Sequence, residues 1–146
     1  MSRKRARPAI RDVIAERVFH RADGREVRVV VGRPRKANGE WVCEFRVLGV
    51  GRSKVYSLPG PDSLEALQLA LAMMAVQVES YQQEHGLTFM GGPYLPLMKP
   101  DFAAMMREIE AAPEFPQIAE AIGDVWQEMT GEPLRRGAYK SVPRNG

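Results

Sequence analysis

A chain of 146 residues has room for one domain with a real core, or for one domain and an appendage. With 45% hydrophobic and 27% charged residues it reads as a soluble globule, and its net charge of +3 hides a steep internal asymmetry. Its single cysteine, Cys43, excludes an intramolecular disulfide and a thiolate zinc site, and fits a reducing compartment.

The N-terminus, MSRKRARPAIRDV, is basic without a following apolar stretch, so it does not read as a secretory signal. The longest uncharged apolar run, Ala66 to Val78, is 13 residues, against the roughly 20 a bilayer span requires. A cytoplasmic protein without a membrane partner is expected. Residues 1–12 form a basic flexible arm carrying Arg3, Lys4, Arg5, Arg7 and Arg11. Such an arm either grips nucleic acid or stays a solvated tail.

Residues 13–98 form the expected core. Four runs, at 13–21, 25–33, 40–48 and 53–58, read as strands. The second puts Val27, Val29 and Val31 on one face, and the third does the same with Trp41, Cys43, Phe45 and Val47. Period-two alternation of β-branched and aromatic residues marks half-buried antiparallel strands. ADGR and ANGE supply the Asp-Gly and Asn-Gly pairs of tight turns, and LGVGRS joins the last two strands. Three short connections in a row predict a four-stranded antiparallel meander.

Pro59, Gly60 and Pro61 stop the last strand, and Asp62 is placed to cap a long helix ending at Gly86, with Glu65 as capping-box partner. Leu64, Leu67, Leu71, Met74, Val78 and Tyr81 recur at spacings of three and four, and Leu69, Met73 and Val76 widen that face. This stripe is predicted to cover the sheet. Residues 86–100, interrupted by glycines and prolines, read as an ordered loop packed on the domain.

Two helices, at 101–112 and 116–131, make an addition spanning 99–132. The first offers Phe102, Met105, Met106 and Ile109 to the interior, and the second Ile118, Ile122, Val125, Trp126 and Met129. Residues 60–132 hold twelve acids against Lys99 and Arg107 alone. A basic tail, 133–146, follows. The fold class is therefore α+β: a four-stranded meander, one long covering helix and a C-terminal two-helix addition.

Little points to catalysis, and no cofactor or metal site is expected. Cys43 falls on the inward face of its strand, where a thiol is an unreactive small hydrophobe. His20 and His85 are far apart, and neither belongs to a ligand-spaced pair. GVGRSK (49–54) lacks the Gly-Lys-Ser/Thr ending of a phosphate loop and reads as a hairpin turn. The candidate partner-binding residues are the acids Glu108, Glu110, Glu114, Glu120, Asp124 and Glu128. They form either a solvated face, a docking surface for a basic protein, or a contact with the basic sheet of a second copy.

DGREVRVVVGRP, WVCEFRV, DSLEALQLAL and GLTFMGG together resemble an uncharacterised family of small bacterial domains, over roughly Arg17 to Gly92. The resemblance implies a meander-plus-helix fold and brings no activity and no site residues. Small cytoplasmic bacterial proteins without catalytic residues are often immunity proteins, so by that analogy the leading expectation is a non-enzymatic protein that neutralises a basic toxin by binding it. The alternative is a nucleic-acid-associated regulator using the basic arm and the Arg-rich sheet.

Overall fold

The computed structural model describes residues 10–98, 101–112 and 116–134. Most of the basic arm, most of the basic tail and Glu114 lie outside them. The elements run β1 (Val13–His20), β2 (Glu26–Gly32), β3 (Arg35–Ala37), β4 (Glu40–Leu48), β5 (Val55–Gly60), α1 (Ser63–His85), α2 (Phe102–Glu110) and α3 (Pro116–Thr130).

The class is α+β, as expected, but the antiparallel sheet has five strands rather than four. The second predicted run, 25–33, becomes β2, and after Arg33–Pro34 a further strand, β3, forms that no predicted run covers. Proline has no N–H to give a ladder, and the register slips there from Val31↔Phe45 to Arg35↔Val42. β2 and β3 thus follow one another along one edge of β4, β5 takes the other edge, and β1 lies outside β2. The connectivity remains that of a meander. Asn38 and Gly39, both at positive φ, close the β3–β4 hairpin between the paired Ala37 and Glu40. The β1–β2 connection is a longer loop, in which the Asp23 carboxylate accepts from the Arg25 amide at 3.0 Å.

The inward residues are those the alternation selects: Val27, Val29, Val31, Cys43, Phe45 and Val47 are all buried. α1 starts where its cap requires, with the Asp62 carboxylate accepting from the Glu65 amide at 2.7 Å, and it ends at Gly86 in the left-handed conformation. The side it turns to the sheet is only partly the predicted one. Of the predicted face Leu69, Met73 and Val78 are buried, but Leu64 is 60% and Leu71 38% exposed, and Ala66 and Ala70, which the stripe left out, are buried against the sheet. At ~100° per residue, the line through Leu64, Leu67, Leu71 and Met74 is centred about 100° round the helix from the contact face, which lies on the side that Leu69 and Met73 widen. The reason is proximity. A Cβ on Gly60 would come within 2.5 Å of the Ala66 amide nitrogen, so the helix sits closer to the sheet than large side chains at 66 and 70 would allow. Leu67, Met74 and Tyr81 flank the contact, half-buried against the core.

The segment after α1 closes one end of the sheet. Thr88 exchanges two backbone hydrogen bonds with His20, and the Phe89 ring meets Phe19 edge-on at 5.9 Å. Arg17, in phase with Phe19 on the inner face, lies 5.2 Å from the centre of the Phe89 ring and donates to the Pro96 carbonyl. α3 packs beside β5 through Ile118, Ile122 and Val125, all buried. α2, capped by the Asp101 side chain, rests on α3 with Phe102 stacked on Trp126 at 5.2 Å.

Candidate functional site

α3 is amphipathic, and its apolar side is committed to β5. Glu120, Asp124 and Glu128 recur every four residues and form a stripe; by the ~100° step of the helix, Glu120 lies roughly opposite the buried Ile118, Ile122 and Val125, and Asp124 and Glu128 lie progressively toward their flank. Glu120 and Asp124 are exposed, as are Glu108 and Glu110 on α2. Arg107 is the one base among the described residues of these two helices.

Glu128 differs from the others. It sits at the flank of α3 nearest the β4–β5 loop, and its carboxylate lies 2.6 Å from the Lys54 ammonium. The hydrogen bond from Lys54 holds its carboxyl below the usual range. This acid therefore ties α3 to the sheet, while Glu108, Glu110, Glu120 and Asp124 form no hydrogen bond or ion pair with other described residues. A sequence scan for acids could not separate the two roles, because Lys54 is far away in the chain.

The sheet's outer face is basic in composition but balanced in space. Arg28 meets Glu16 at 3.0 Å and Glu26 at 3.4 Å, Arg35 stands 3.7 Å from Glu44, and Arg46 donates through Nε to the Ser53 carbonyl at 2.6 Å. Arg28–Glu16 and Arg35–Glu44 reach across strands while Arg28–Glu26 stays within β2, and the alternation that buries the valines puts both signs on one face.

The Cys43 thiol is buried, donates to the Gly32 carbonyl at 3.4 Å, and is pushed up to about 11 by burial and then by the Glu44 charge. It is a packed group, not a poised nucleophile. His20 is exposed at the end of β1, and His85 lies in the last turn of α1 beside Glu84 at 3.6 Å. Among the described residues no three His, Cys, Asp or Glu side chains gather as a metal site would need, and no helix is long and apolar enough to cross a membrane. The 49–54 stretch links two strands rather than opening a helix, and Tyr81 packs where a side chain on Gly51 would point.

A family model described as a domain of unknown function (DUF6968) matches residues 15–95. The chain belongs to that family. The DUF6968 match takes in the whole meander but for the first residues of β1, all of α1 and the segment that closes the sheet. α2 and α3, with every acid of the candidate surface, lie beyond it. No curated protein and no solved structure matches the chain.

Proposed function

We propose that this protein is a non-enzymatic binding module, an immunity-type protein of a bacterial cytoplasm that neutralises a basic toxin by docking it on the outer side of α2 and α3. The observation that carries this reading is the set of exposed carboxylates, Glu108, Glu110, Glu120 and Asp124, on two helices that offer Arg107 as their one described base. Their apolar sides are already used, Met106 being buried on α2 and Ile118, Ile122 and Val125 on α3. The Lys54–Glu128 pair and the Phe102–Trp126 stack hold the two helices in place, so the charges are presented by a fixed scaffold. The sheet's outer face offers a nucleic acid less, because Arg28 and Arg35 already face carboxylates there.

The test takes the product of the gene adjacent to this one as the candidate toxin and measures association by stopped flow. A charged rim mainly governs the rate of encounter. Glu110→Lys, Glu120→Lys and Asp124→Lys together should leave the fold intact and slow capture by about tenfold or more at low salt. The wild-type rate should fall as salt shortens the Debye length toward about 8 Å. An unchanged rate in the triple variant, or toxin activity undiminished by the wild type, would overturn the reading.

A further inference from the structure

β1 is the outermost strand of the sheet, and among the described residues its outer edge is paired at one point only, the antiparallel bridge between His20 and Thr88. His20 gives its N–H to Thr88 at 2.9 Å and accepts from it at 2.8 Å, so both its backbone groups turn away from β2. By the two-residue period of a strand, Val18 and Glu16 turn theirs the same way. Thr88 thus begins a sixth strand that the chain does not continue. Met90 and Gly91, both at positive φ, reverse the chain within the bridge from Phe89 to Gly92, and the place beside Val18 and Glu16 is left open.

A groove of about 160 Å³ lies on the inner side of the same edge, lined by Ala15, Arg17 and Val31 of the sheet, Leu71 and Met74 of α1, and Leu97. It exists because α1 packs mainly on β4 and β5, so Ala15 stays exposed although it is on the sheet's inner face. The other large apolar side chains left exposed among the described residues fall on the same three stretches: Val13 and Ile14 on β1, Leu64 on α1, and Met90, Tyr94 and Met98 after it. Exposed apolar clusters of this kind mark protein contacts. Unlike the acids of α2 and α3, the groove lies within the part of the chain that matches the family, Leu97 excepted.

We propose that an extended segment of another protein adds to β1 as the next strand, antiparallel and in line with Thr88, with apolar residues at alternate positions filling the groove. Backbone hydrogen bonds to Glu16 and Val18 hold it, and the space between Ala15, Leu71 and Leu97 selects its side chains. A second copy of this chain fits the edge less well. Joining the open residues of two copies sets Glu16 opposite Glu16 or Arg17 opposite Arg17, like charges that repel, and a pairing centred on Val18 meets Thr88 at His20. The site is separate from the acidic surface, and either can fail without the other.

The probe is a set of short fluorescein-labelled peptides that alternate threonine with valine, leucine or phenylalanine, titrated with the full-length protein and read by anisotropy. The peptides carry no basic residue, so the acids of α2 and α3 do not attract them. At least one should bind. Methylating the backbone nitrogens on one edge of that peptide should weaken binding roughly tenfold or more, whereas methylating those on the other edge should not. Leu71→Glu places a charge on the groove wall and should weaken binding by a similar factor. Leu71 is 38% exposed, so this variant should stay folded. Binding of none of the peptides, equal loss on methylating either edge, or binding unaffected by Leu71→Glu would overturn the proposal. So would a dimer of the free protein in sedimentation that Leu71→Glu dissociates, since that gives the groove to a second copy.

Discussion

Cys43 shows how one residue's surroundings set its chemistry. Its neighbours on the inner face, Phe45 and Val47, are buried with it, and removal from water disfavours the thiolate. The folded thiol titrates near 11, against about 9 in an open chain. A group raised on folding stabilises the fold fully below its unfolded value and loses that contribution as pH rises through the folded one. The wild type should therefore lose stability between about pH 9 and 11, and Cys43→Ala should lose less over the same range. Chemical denaturation at a series of pH values measures this. A thiol reagent at neutral pH should modify Cys43 slowly in the native state and quickly once the chain is unfolded.

α1 carries its lesson at the scale of the element. Its apolar residues extend well beyond one side, so periodicity alone leaves several orientations open. The larger residues at 64, 67, 71 and 74 attract attention in the sequence, but a helix approaches a sheet most closely through small ones. Ala66 and Ala70 allow that approach, and Met73, fully buried between them and Gln77, fills the space. Met73→Ala should cost roughly 2–5 kcal/mol, the range for a large side chain removed from a packed core. Leu71→Ala, at 38% exposure, should cost about 1 kcal/mol or less. Equal losses in urea denaturation would mean that the helix turns its larger side chains inward after all.

The molecule as a whole is a two-layer core with α2 and α3 added along β5. Tyr56 and Leu58 of that strand are buried, and α3 lies beside it. A chain ending at Met98 would keep every strand and α1, but would leave the β5 side without its helical neighbour. Such a truncation should show near-native far-ultraviolet circular dichroism, a lower melting temperature, and more binding of a hydrophobic dye than the full chain. A melting curve identical to that of the full chain would show that the two helices contribute nothing to the stability of the core. The same arrangement separates two charged regions: carboxylates on the outer side of α2 and α3, and guanidiniums at the start of β1 and the β2–β3 break.

Four of the five strands, their inward faces, the Asn38–Gly39 hairpin, the Asp62 and Gly86 caps and the α+β class were legible in the residues, because each depends on neighbours within a few positions; β3 was not, and Pro59 and Gly60, expected to stop the last strand, instead belong to β5 and pair with Val42 and Trp41. Alternation decides which side of a strand is apolar, a carboxylate reaches an amide three residues on, and glycine accepts positive φ wherever it stands. Pro34 has no N–H to give, which fits the end of β2 just before it, but whether the chain resumed the ladder as β3 depended on β4. What only the tertiary structure decided involves pairs distant in sequence. It chose the contact side of α1 through its packing on β4 and β5. It tied Glu128 to Lys54 and left Glu120 and Asp124 in solvent. It set Glu16 beside Arg28 and Glu44 beside Arg35 across the sheet's outer face. Distances of a few ångströms between such residues follow from how the layers pack, and packing depends on the volumes of all the side chains together, which no local pattern contains.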